Sequence, residues 1–223
     1  MKMLTLARKP INAAGVSERD QRLLWRIAAL LLDYPSVQTL ELTEQLSSAA
    51  TELPTTLGTP VLDFLREFHD ADQMQLAMAY VETFDMRRRS SLHLTYYAYG
   101  DTRKRGMALL RFKHAYRQAG MQLDDNELPD FLPLVLEFAA TIDRVQGERL
   151  LAEHVPVLEL LRLSLLDNDS PYASVLTAVL ATLPPINTAD RRRIAELAAQ
   201  GPPDEDVGLE PFAMDPLTAG ARR

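Results

Sequence analysis

The residues of this chain that could do chemistry are four histidines, thirty-one carboxylates and twenty-four Lys/Arg, and their spacing excludes most reactions. The histidines are His69, His93, His114 and His154. No two stand three or four residues apart, and no His-Glu-x-x-His occurs, so no helix would present a histidine pair to a metal. There is no cysteine, which removes disulfides, thiolate nucleophiles and thiolate metal ligands. The nine glycines are scattered and form neither a dinucleotide fingerprint nor a phosphate loop, so an enzyme with a nucleotide site finds no support. No Gly-x-Ser-x-Gly elbow occurs. Asp124-Asp125 sits ahead of a predicted helix, where adjacent acids more often form a solvated cap than an acid–base dyad.

The informative feature is charge order. From Met86 to Arg117 there are nine Lys/Arg (Arg87, Arg88, Arg89, Arg103, Lys104, Arg105, Arg111, Lys113, Arg117) against one acid, Asp101. From Gln118 to His154 eight Asp/Glu oppose Arg144 and Arg149. Both blocks carry aromatics and leucines, as surfaces that hold another chain would. A nucleic-acid-binding regulator using Arg87–Arg117 is the alternative reading. The net charge of −7 weighs against it. So does geometry: neighbouring residues on a helix point about 100° apart, so a triplet such as Arg87-Arg88-Arg89 or Arg191-Arg192-Arg193 cannot aim all its charge one way. Met74, Met78 and Met86 suit either core filling or an adaptable surface. Tyr96, Tyr97 and Tyr99 suit either a core with satisfied hydroxyls or a rim.

The elements that position these residues are helical. Ser17 with Asp20 resembles a capping box ahead of Leu23, Leu24, Ile27, Leu30 and Leu31, and Tyr34-Pro35 stops that helix. Further helices are predicted over 36–50, from Thr59-Pro60 as N-cap and N1, and from Asp72 through Phe84. Another starts at Asp101-Thr102, with Gly120 as its stop. The next enters through Leu128-Pro129, with Pro133 tolerable only in the first turn. Residues 147–167 read as one helix kinked or broken at Pro156. Helix starts follow at Ser170-Pro171 and Thr188, and Gly201-Pro202-Pro203 ends the last helix. No alternating strand, hairpin dipeptide or repeat appears. The fold class is all-α: a single compact bundle of about eight or nine helices over 16–201. Residues 1–15 are expected to be flexible and 202–223 a disordered Pro-rich tail containing an apolar island, Leu209 to Met214. MKMLTLARKP lacks a signal-peptide core, and no apolar run reaches the ~20 residues that span a bilayer. The expectation is a cytoplasmic protein.

Four segments carry a resemblance: Tyr80-Val-Glu-Thr-Phe84-Asp85; Leu92-x-Leu94-Thr95-Tyr96-Tyr97; Gly100-Asp101-Thr102-Arg103-x-Arg105-Gly106; and Glu127-Leu128-Pro129-Asp130-x-Leu132-Pro133-x-Val135-Leu136-Glu137-Phe138. They resemble the NarJ family of respiratory nitrate reductase assembly chaperones, within the TorD-like redox-enzyme maturation proteins. The likeness runs from about Ser17 to Phe212. The resemblance implies a non-enzyme that binds the N-terminal segment of the catalytic (alpha) subunit and holds it open for molybdenum cofactor insertion before membrane docking. It implies no permanently bound cofactor, a monomer or weak homodimer, no nucleic acid and no stable membrane insertion. Cofactor-delivery proteins are further candidate partners. The implied client-peptide residues are Tyr80, Phe84, Asp85, Arg88, Leu92, Tyr96, Asp101 and Arg105, then Asp130, Leu132, Pro133, Leu136 and Glu137. Phe84, Leu92, Tyr96, Leu132 and Leu136 are expected on an apolar floor. Asp124, Asp125, Glu127 and Asp130 are expected in an acidic wall. Where the wider group has Asp-His, this chain has Asp130-Phe131, leaving Asp130 and Glu137 as the polar contributors there.

Overall fold

The computed structural model describes residues 15–69, 71–100, 102–124 and 127–201. Within them the chain forms α1 (Glu18–Leu32), α2 (Val37–Glu41), α3 (Thr43–Thr51), α4 (Thr55–His69), α5 (Gln73–Tyr80), α6 (Tyr96–Tyr99), α7 (Arg103–Gln118), α8 (Leu132–Thr141), α9 (Arg144–Glu153), α10 (Val155–Asp167), α11 (Tyr172–Leu180) and α12 (Thr188–Gln200). A π turn (Val81–Asp85) and a 3₁₀ turn (Arg88–Ser90) join α5 to α6. The all-α class stands, but there are twelve α-helices among the described residues, not eight or nine. Two predicted helices are each split. The segment expected over 36–50 breaks at Leu42, and the one over 147–167 breaks at His154, immediately ahead of Val155-Pro156. Proline has no N–H to give the preceding turn, so Pro156 falls in the first turn of α10.

Local signals explain most helix ends. The Ser17 side chain accepts from the Asp20 N–H, Asp72 and Gln75 form a capping box, and Gly120 (φ 76°) follows α7. Thr59-Pro60 does not start α4. The helix begins a turn earlier, where Leu57 and Gly58 N–H groups donate to the Pro54 carbonyl, and Pro60 lies inside it. Gly58 also explains the close fit here: a Cβ at that position would lie 2.4 Å from the Ala50 carbonyl oxygen of α3.

α1 is the central element. Leu24, Trp25, Ile27, Ala28, Leu31 and Leu32 are buried, and the helix packs on α8 and α11. Trp25 Nε1 donates to Thr182 Oγ1 at 2.9 Å, so its polar edge is satisfied. α4 packs on α3 and α11, and α8 on α9 at very short range, because Gly147 faces Ala139. The rings of Tyr80, Phe84, Phe64 and Tyr172 form one aromatic knot with centroids 4.8–5.0 Å apart for the pairs Tyr80–Phe84, Phe84–Tyr172 and Phe64–Tyr172. α12 stands apart from this core, resting through Leu197 and Ile194 on Tyr97, Val157 and Leu160.

Candidate functional site

A cavity of about 710 Å³ opens between the C-terminal half of α1 and the start of α8. α1 supplies Arg26, Ala29 and Leu30, with Asp33 just beyond its end. The approach to α8 supplies Glu127, Leu128 and Phe131, and α8 itself Pro133, Leu134 and Glu137; His93 closes one end. The floor is therefore apolar. On the rim, Arg26 is ion-paired with Glu137, whereas Asp33 and Glu127 form no ion pair among the described residues. An acid-rimmed apolar trough of this kind suits a basic amphipathic segment.

Beneath one wall lies a buried charge cluster. Asp130 is fully buried. Its Oδ2 accepts from the Thr95 N–H at 3.0 Å and the Thr95 hydroxyl at 2.5 Å. Its Oδ1 faces His93 Nδ1 at 3.4 Å and Arg105 Nη2 at 3.7 Å. Burial works to raise the Asp130 carboxyl, but the close approach of His93 and the hydrogen bonds from Thr95 outweigh it and hold the group below the ordinary carboxylate range. Backbone bonds lock the same corner. Leu94 N–H donates to the Asp130 carbonyl and Leu132 N–H to the Leu92 carbonyl, a lone bridge between the His93 and Phe131 segments. Tyr116 Oη donates to the Pro129 carbonyl at 2.7 Å and fixes the approach to α8. The cluster sets the shape of the cleft wall.

The residues expected on the apolar floor are placed elsewhere. Phe84, Leu92, Leu132 and Leu136 lie in the core, as does Tyr80 from the implied client-peptide set, and Tyr96 is half-buried beneath the Arg105 guanidinium, 5.5 Å from its ring centre. They support the cleft from behind and cannot touch a ligand in it. Asp130 likewise is no outer wall. Asp85 and Arg88 are exposed away from the lining, and Asp124 borders a different, smaller cavity. Asp101 and Asp125 lie outside the described residues. Pro133 and Glu137 line the cleft, as does Glu127 from the expected wall. Sequence reasoning missed Arg26, Ala29, Leu30 and Asp33, because the apolar periodicity of α1 reads as pure core. It also missed that the fold brings His93 to Asp130, 37 residues along the chain.

The basic block is partly spent internally. Arg105 faces Asp130, Arg87 pairs with Glu82, and Arg111 pairs with Glu153. That removes three of the nine cations a nucleic-acid surface would use. His154 is enclosed at the α9–α10 junction against Phe112; burial lowers its pKa, opposed by its bond to the Leu150 carbonyl.

The class this defines is a protein all-helical over its described residues, with an open apolar cleft between α1 and α8. Among the described residues, no group of three or more His, Asp or Glu could hold a metal, and no helix is long and apolar enough to cross a membrane. Comparison with known sequences narrows the class to a family. A family profile described as "Nitrate reductase delta subunit" matches residues 41–178. The chain is 33% identical over 193 residues to the nitrate reductase molybdenum cofactor assembly chaperone NarJ of Escherichia coli (strain K12), covering 85% of this chain and 79% of that protein. It is 38% identical over 104 residues to the probable chaperone of the same description in Bacillus subtilis (strain 168), covering 47% of this chain and 56% of that protein. It is 40% identical over 164 residues, 71% of this chain, to the nitrate reductase-like protein NarX of Mycobacterium tuberculosis (strain ATCC 25618 / H37Rv). There it spans 24% of the relative's length, so it corresponds to one segment of that longer protein. The chain belongs to the nitrate reductase delta subunit family, the NarJ family.

Proposed function

We propose that this protein is an assembly chaperone for a nitrate reductase. It holds the N-terminal segment of the catalytic (alpha) subunit in the α1–α8 cleft while the molybdenum cofactor is inserted, and releases it before membrane docking. The cofactor is cargo of the process and is not retained. The protein catalyses no reaction and works in the cytoplasm as a monomer or weak homodimer.

One observation carries this reading. The cleft has an apolar floor from Leu30, Leu128, Phe131 and Leu134, with Asp33 and Glu127 on its rim. A basic amphipathic helix matches both properties. Burying three apolar side chains at ~1.5–3 kcal/mol each gives about 5–9 kcal/mol before the cost of ordering the peptide. The surplus corresponds to releasable binding. The names of the Escherichia coli and Bacillus subtilis relatives support the same role.

Isothermal titration with a peptide of the first ~20 residues of the partner reductase subunit, about one 30 Å helix, tests it. Saturable heat at one site is expected. Absence of heat at high protein concentration between pH 6 and 8 rejects the reading.

A further inference from the structure

The outward face of α7 combines exposed charge with exposed apolar side chains and is left unexplained by the cleft. Arg103, Met107, Leu110, His114 and Arg117 follow the i, i+4, i+7, i+11, i+14 spacing of one helix face, and all are exposed. Met107 is 70% and Leu110 54% exposed. Lys104 and Lys113 flank the stripe. α7 contains no acid, and among the described residues Arg103, Lys104, Lys113 and Arg117 form no ion pair. The result is an apolar centre bracketed by free cations, running about 21 Å from Arg103 to Arg117.

The chain holds a segment of opposite chemistry. Between Asp204 and Leu217 lie five acids, Asp204, Glu205, Asp206, Glu210 and Asp215, and no base. Val207, Leu209, Phe212, Met214 and Leu217 are interleaved with them. The point of departure is also favourable. Leu197 of α12 packs on the small cluster that contains Tyr97 of α6, and α7 begins at Arg103, just after α6 ends at Tyr99. Residues 202–217 extended reach about 50 Å, more than twice the stripe's length.

We propose that residues 204–217 dock on the α7 face of the same chain as an internal ligand. Leu209, Phe212 and Met214 cover Met107 and Leu110, and the acids meet Arg103, Lys104, Lys113 and Arg117. The docked segment neutralises the basic block and keeps polyanions and acidic proteins off it, while the α1–α8 cleft stays open.

The chain lacks cysteine, so Thr218→Cys in this 223-residue chain accepts one spin label. Amide signals are then read with the label oxidised and reduced. The proposal expects broadening concentrated on Arg103–Arg117, abolished by high salt and by Leu110→Glu, whose exposed site leaves the fold intact. Broadening spread evenly over the surface, centred on another face, or unchanged by Leu110→Glu overturns it. So does broadening of an isotope-labelled chain by a spin-labelled second copy, which would mean that the face receives another molecule. Binding of an acidic peptide or of anionic vesicles equally well by the full chain and by Leu110→Glu also counts against it.

Discussion

His93 Nδ1 stands 3.4 Å from the buried Asp130 Oδ1, and the His93 ring lies 5.4 Å from that of Phe131. One side chain thus touches the buried charge cluster and lines the cleft at the same time. The wall of the trough is held by a carboxylate no ligand can reach.

Removing that carboxylate should therefore act on the fold. Asp130→Asn takes the charge from the buried group that accepts from the Thr95 N–H and hydroxyl and faces Arg105, which costs about 1–3 kcal/mol. Denaturant unfolding at neutral pH measures it. The pH dependence has a defined sign. The folded carboxyl sits below its ordinary value of 3.8. Its stabilisation is therefore complete above that value and is lost as pH falls through it and below. The stability of Asp130→Asn should fall less steeply with acid over that window than that of the parent.

Two glycines should respond in opposite directions to alanine. At Gly147 a Cβ would lie 2.3 Å from the Ala139 Cβ, so Gly147→Ala forces α8 and α9 apart and costs about 1–3 kcal/mol. At Gly106 of α7 the space is open, and Gly106→Ala gains about 0.5–1 kcal/mol from helix propensity. Paired melting curves of the two variants check both signs.

Charge on the cleft rim should tune affinity. Asp33 and Glu127 are the acids left over once Arg26 and Glu137 pair. Reversing either to lysine should weaken binding of a basic peptide by about 1.4- to 5-fold, equivalent to 0.2–1 kcal/mol for an exposed pair. The difference should shrink as salt is raised. Titrations at two ionic strengths measure it.

Two leucines of α8, on either side of Pro133, separate scaffold from contact. Leu132 is fully buried, so Leu132→Ala should cost about 2–5 kcal/mol of stability and leave the affinity of the folded protein nearly unchanged. Leu134 lines the cleft, so Leu134→Ala should lower affinity with a smaller stability cost. Melting and titration of the same two samples test the division.

This pair also shows how far the sequence could be read. Capping side chains and prolines act over three or four residues, so Ser17, Asp72, Gly120 and Pro133 marked helix ends legibly. The break at Leu42 and the early start of α4 were not legible. They depend on packing, as where Gly58 meets Ala50. Periodicity identifies a buried face but cannot tell a residue that supports a cleft from one that lines it. Leu92, Leu132 and Leu136 read as floor and are core, whereas Leu30 belongs to the apolar stripe of α1 and yet lines the trough. The meeting of His93 with Asp130 needs the chain to return on itself, which no local pattern records.

The most direct test of the central claim is an amide chemical-shift map of the 223-residue chain titrated with the reductase N-terminal peptide. The account predicts the largest changes at Ala29, Leu30, Phe131 and Leu134, with α4 and α12 unaffected. Changes centred on α7 or α12, or none along α1 and α8 at saturating peptide, would contradict it.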